Sequence, residues 1–168
     1  MGRNDELDTA MQLRAKLLAS GCSFGTEVTA DYGDKVYSFS MECRTDADGN
    51  LNFTVIEPES IAGVTGEVSE EGGKLTFDET ALAFDTMADG LISPVSAPWV
   101  VIYTLRGGYL TSCGSNGDMI RVSIDDRYEE DALHVDIWLD SSGSPQRAEI
   151  LWKERRILSL DIENFTFL

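Results

Sequence analysis

Period-two alternation is the feature that most narrows what this chain can become. Phe24, Thr26, Val28, Ala30 and Tyr32 alternate with Gly25, Glu27, Thr29 and Asp31. Tyr37, Phe39, Met41 and Cys43 alternate with Ser38, Ser40 and Glu42, and Leu51, Phe53 and Val55 with Asn52 and Thr54. Neighbouring side chains of a strand point to opposite faces. Such runs therefore describe strands with one buried and one wet face, the habit of antiparallel sheets. Turn residues separate them at Gly33-Asp34 and at Asp46-Ala47-Asp48-Gly49-Asn50.

The C-terminal third repeats the pattern. Tyr109 to Cys113 is set to pair with Met119 to Ile124, and Ala132 to Asp140 with Arg147 to Trp152, while Arg156 to Phe167 forms a last strand. In between, the glycines of Ile61 to Val68 suggest a bent strand. Glu71-Gly72-Gly73-Lys74 turns into Leu75-Thr76-Phe77, and a looser segment runs from Asp78 to Pro94.

Two stretches follow helical spacing instead. Over about 4–20, Leu7, Ala10, Met11, Leu13, Leu17 and Leu18 are predicted to share one helical face, with Gly21 as the stop. Over about 97–106 the helix is apolar nearly all round and should be buried. Ser96 is its expected N-cap, Pro98 sits in its first turn and Gly107-Gly108 ends it. The whole, 1–168, is expected to be a single α+β, mainly β domain.

Charge removes whole classes of partner. With Asp+Glu 30 against Lys+Arg 13, the net charge of -17 repels phosphate backbones and anionic headgroups, so nucleic acid is excluded as a partner. No apolar run is long enough to span a bilayer. The polar start, Met1 to Glu6, is no signal peptide, which leaves a cytosolic chain or a mature domain without its targeting segment. Leu18-Ala19-Ser20-Gly21-Cys22 resembles a lipoprotein processing site, but Asp5, Glu6, Asp8, Arg14 and Lys16 upstream rule out a signal core.

Folding the first hairpin at Gly33-Asp34 brings Cys22 and Cys43 to the same open end. A disulfide between them is expected, with Cys113 left over; the alternative is three buried, reduced thiols. One His and no CxxC make a zinc site improbable. His134 lies in Leu133-His134-Val135-Asp136-Ile137-Trp138, opposite the apolar face, and no GxSxG elbow accompanies it, so a cross-strand or surface role is expected. The run Asp125 to Asp131 lacks the ordered oxygens and glycine of a calcium loop. No catalytic residue, metal ligand or cofactor site is assigned.

Several of these segments resemble a known family. Val135 to Asp140, Pro145, Ala148 to Trp152, Arg156 to Leu160 and Asn164-Phe165 resemble the outer-membrane lipoprotein carrier and sorting superfamily (LolA/LolB-like). Phe53 to Gly63 and Leu91 to Trp99 look similar to uncharacterised lipid-anchored lipoproteins of Gram-positive bacteria. The resemblance implies a strongly curved, unclosed antiparallel half-barrel with helices on its concave side. It also implies an apolar groove for an acyl chain or other lipid, an extracytoplasmic setting and a lipid anchor upstream of Met1. The expected groove wall is Phe24, Val28, Tyr37, Phe39, Met41, Phe53 and Val55, capped by Trp99, Ile102 and Leu105. A groove filled solidly by the chain's own side chains would defeat this reading. The expected protein is a noncatalytic monomer that binds an apolar small molecule or lipid and meets a membrane only through its anchor. The rival expectation is an acidic protein-interaction module without a small-molecule ligand.

Overall fold

The computed structural model describes the backbone of residues 2–70, 72–76, 86–128 and 130–168, and the side chains of 5–70, 86–128 and 130–168. Phe77 and the first part of the looser segment, 78–85, lie outside the described residues.

Helix α1 (Gly2–Ala19) leads into three long strands, β1 (Cys22–Asp31), β2 (Val36–Thr45) and β3 (Leu51–Glu57). Shorter β4 (Thr65–Ser69) and β5 (Gly72–Thr76) follow, and then helix α2 (Ala97–Gly107). The chain ends in β6 (Tyr109–Asn116), β7 (Met119–Asp125), β8 (His134–Leu139), β9 (Pro145–Trp152) and β10 (Arg155–Phe167). The ten strands among the described residues form one antiparallel sheet in the order β5-β4-β3-β2-β1-β10-β9-β8-β7-β6. Its two ends, β5 and β6, do not pair with each other, so the sheet is an open half-barrel.

The alternation seen in the sequence sorts side chains as expected. Phe24, Val28, Phe39, Met41, Phe53 and Val55 enter one continuous core with Ile137, Leu139, Ile150 and Leu160. Helix α2 packs on α1, β7, β8 and β10. Val100, Val101, Ile102, Thr104 and Leu105 are all buried, as an all-round apolar helix requires. Thr104 is tolerated at 0% exposure because its hydroxyl donates to the Val101 carbonyl at 2.9 Å.

Three expectations need correction. The apolar residues of α1 do not share one face: Ala10, Leu13 and Leu17 are buried, while Leu7, Met11 and Leu18 are exposed. At 3.6 residues per turn these are two stripes about 100° apart. Ser96 does not cap α2 with its side chain; its hydroxyl turns back to donate to the Ser93 carbonyl at 2.7 Å.

The Cys22–Cys43 bridge is not formed, and both thiols are free and buried. The hairpin turn places Asp31 opposite Val36, which pairs Cys22 with Thr45 and Cys43 with Phe24. The two cysteines are thus diagonal neighbours, at roughly 7–8 Å between Cα atoms, beyond disulfide range. Cys22 Sγ instead lies 3.2 Å from Thr45 Oγ1.

Candidate ligand-binding site

The residues expected to line a groove mostly fill one another's space. Phe24, Val28, Phe39, Met41, Phe53, Val55, Ile102 and Leu105 are all buried in the core. Tyr37 is 46% exposed and packs edge-on against Tyr32, away from any wall. Only Trp99 of that set is half-buried at an opening. Among the described residues, these side chains belong to the core and not to an open wall.

Space remains at one mouth. Between the end of β4 and the first turns of α2 lies a pocket of about 400 Å³, at the lower end of the roughly 300–1,000 Å³ of small-molecule sites. Its apolar lining comes from Val68 on β4, from Leu91 and Ile92, and from Val95, Trp99 and Val100 around the start of α2. Local structure explains each position. Val68 faces inward because Glu67 and Ser69 alternate with it on β4. A turn at 88–91, with Gly90 at φ +86°, returns the chain so that Ile92 bridges Met87. Pro94 then starts a 3-10 turn (Pro94–Ser96) that feeds α2, and Trp99 stacks on Tyr103 with ring centroids 4.9 Å apart. Sequence reasoning found Trp99 but missed Val68, Ile92, Val95 and Val100: Ile92 and Val95 lie in a stretch with neither periodicity, and which residues of β4 and α2 reach a common opening depends on tertiary folding.

Two arginines fix the other end of α2. Arg14 donates to the carbonyls of Leu105 (2.8 Å), Thr104 (3.1 Å) and Gly108 (2.9 Å), adding to the Gly108 amide that the Thr104 carbonyl already accepts. Arg106 donates to the Ala47 carbonyl at 2.7 Å, tying the helix to the β2–β3 turn.

The outward face of the sheet is polar. On β7 and β8, Asp136 is buried at 3% exposure and accepts from Ser123 (2.6 Å) and Arg121 (2.8 Å). Burial alone would raise its pKa; the Ser123 and Arg121 hydrogen bonds and the nearby His134 outweigh that and hold it below the ordinary carboxylate value. His134 lies between two carboxylates, 2.7 Å from Asp125 and 2.9 Å from Asp136. Ser123 gives its proton to Asp136 and not to His134, so these groups do not assemble a Ser-His-Asp relay. On the other half of the sheet, shallow depressions of about 570 and 390 Å³ run over β1–β4 and β10, lined in part by Glu27, Glu42, Glu57, Glu67 and Glu163. Among the described residues no group of His, Cys, Asp and Glu is placed to hold a metal ion. Among them, too, no helix is long and apolar enough to cross a membrane.

No family model matches the chain, and no curated protein matches it. Solved structures do. The chain is similar to an uncharacterized conserved protein from Thermus thermophilus, with 11% identity, 96% of this chain and 87% of that chain covered, and a TM-score of 0.52. The LolA superfamily protein NE2245 from Nitrosomonas europaea is also similar, at 14% identity, 95% and 93% coverage and a TM-score of 0.45. So is LprF from Mycobacterium bovis, at 10% identity, 96% and 93% coverage and a TM-score of 0.43. The open antiparallel half-barrel that the sequence resemblance implied is the fold observed. At these identities the likeness is one of fold alone.

Proposed function

We propose that this chain is a noncatalytic, extracytoplasmic binding domain that takes one apolar chain into the pocket between β4 and α2. The observation that carries this reading is the pocket itself, about 400 Å³ with Val68, Ile92, Val95, Trp99 and Val100 in its wall. An apolar lining is what an alkyl chain needs to leave water. The extracytoplasmic setting and an anchor preceding the chain are supported by the lipoprotein-like segments quoted above. One domain acting as a monomer is part of the same proposal.

The test is mass spectrometry of an organic extract of natively purified protein, with binding of an alkyl probe followed by calorimetry. A stoichiometric lipid, or saturable probe binding that Leu91→Trp weakens at least tenfold, is expected. An empty extract together with no probe binding overturns the proposal.

A second reading rests on the outward face. No ion pair reaches Glu27, Glu42, Glu57 or Glu163 among the described residues, whereas Arg147 pairs with Glu149 and Asp161, and Arg156 with Glu149. A basic protein partner would compensate the first set. Capture of such a partner that disappears at high salt would favour this reading, since surface attraction is screened there.

A further inference from the structure

We infer that the free edge of β6 docks an extended segment of a partner protein that bears lysine or arginine, and that the segment joins the sheet as an added strand. This surface is separate from the pocket and from the glutamates over β1–β3.

β6 ends the sheet, and among the described residues β7 is the only strand that pairs with it. One row of its backbone N–H and C=O groups therefore points away from any such strand, which is the template that strand addition uses. Proteins blunt edges of this kind with charged side chains, proline, short length or a bulge. β6 has 8 residues, and Tyr109-Leu110-Thr111-Ser112-Cys113-Gly114-Ser115-Asn116 holds no charge and no proline. A bulge lies between Leu110 and Ser112, but beyond it Ser112 to Asn116 keep regular register with Ser123 to Met119. A Cβ placed on Gly114 would meet nothing within 4 Å, so the sheet face at the middle of this stretch is clear as well.

The surroundings of the edge decide the partner. At its C-terminal end the Ser115 hydroxyl donates to Glu6 Oε1 at 2.5 Å, and Glu6 Oε2 has no hydrogen-bond partner. Asp118, in the turn to β7, is exposed. Neither carboxylate has an ion pair among the described residues. Arg121, the one basic residue on β7, stands opposite Gly114 but is committed to Asp136 at 2.8 Å and to the Trp138 ring. At the other end, the exposed rings of Tyr109 and Tyr128 lie 3.8 Å apart between centroids and form an aromatic shelf beside the start of the strand. A second copy of this chain would bring another Glu6 and Asp118 to the same edge, and each copy carries -17. A basic segment brings the countercharge that these carboxylates lack.

Two synthetic peptides of the same length test this on the full chain. Both alternate threonine and valine; one has lysine at each end and the other glutamate. Binding is read residue by residue from amide chemical shifts and hydrogen-exchange rates. The lysine peptide is expected to shift β6 saturably and to slow exchange at alternate residues of Ser112 to Asn116, since the N–H groups of a strand alternate between its two edges. The glutamate peptide should bind about tenfold more weakly or worse, and sodium chloride at about 0.5 M should weaken the lysine peptide. Gly114→Lys sets an edge-guarding cation into open space, so it should remove binding and leave the thermal midpoint in place. If that variant is destabilised, the exchange map of the unaltered chain decides. Equal binding of the two peptides overturns the inference, as does a footprint on the glutamates of β1–β3 or no binding at millimolar peptide. Protection of β6 that grows with protein concentration in the absence of peptide also overturns it, and assigns the edge to a second copy. The pocket takes no part in these readouts, so the alkyl-chain proposal stands or falls separately.

Discussion

At the residue scale, two glycines of β1 and its approach make opposite predictions. A side chain on Gly21 would collide with the Thr45 carbonyl, whereas one on Gly25 would meet only the tips of Glu163 and Glu42 at 3.3–3.4 Å. Gly21→Ala should cost about 1–3 kcal/mol, read from the urea midpoint, and Gly25→Ala far less. Asp136 predicts a pH dependence. Its folded pKa lies below the ordinary value, so its contribution is fully present above the unfolded carboxylate range, about 3.9. That contribution is lost as pH falls from there through the folded value. Asp136→Asn should destabilise at neutral pH by about 2–4 kcal/mol and flatten the acid limb of a stability-versus-pH curve. Burial raises the Cys43 thiol far above its usual value, and Cys22 moves the same way. Under native conditions both should resist alkylation at pH 8 while half-buried Cys113 reacts, and reductant should leave the intact mass unchanged.

At the element scale, strands were readable and partnerships less so. Every long strand announced itself because alternation is a local property, set by which face is wet. The first hairpin turns about Gly33-Asp34 as expected, but that centre pairs Cys22 with Thr45 and leaves Cys43 two positions along, so the expected bridge failed on the offset between the cysteines and not on the place of the turn. Helix α1 misled for a related reason: Leu7, Met11 and Leu18 satisfy helical spacing among themselves yet form a second, exposed stripe. The site was the least readable part. Trp99 belonged to a recognisable helix, but Val68, Ile92 and Val95 come from a short strand and a turn whose meeting depends on tertiary folding. Arg14 carries this scale's prediction. Its three bonds to the end of α2 span α1 and α2, so Arg14→Ala should cost about 1.5–3 kcal/mol. Amide exchange should then rise first in the last turn of α2, and Arg14→Lys should restore only part of the loss, because an ammonium cannot reproduce the planar fork.

At the scale of the whole molecule, charge and topology act together. A chain at -17 repels itself, and the outward face over β1–β3 concentrates part of that charge, with Glu27 directly opposite Asp161. Raising sodium chloride from about 0.01 to 0.5 M should therefore raise the thermal midpoint, because the Debye length shrinks from about 30 Å to a few ångströms. A midpoint that does not move would mean the carboxylates are already compensated. The fold class was readable because the sheet is built from sequence-adjacent hairpins, with one exception.

That exception is the seam between β1 and β10, where Cys22 lies opposite Phe167 and the Leu168 amide donates to the Gly21 carbonyl at 2.9 Å. The first and last strands are neighbours in the middle of the sheet, while both free edges belong to mid-chain strands. Closing that seam brings together residues nearly a full chain length apart, a high-contact-order step with a large loop-closure cost. During synthesis, two separate meanders can form first. They are stitched into one sheet only when the final strand leaves the ribosome, so a chain truncated before Arg155 would retain its hairpins and lose the join that makes them one molecule.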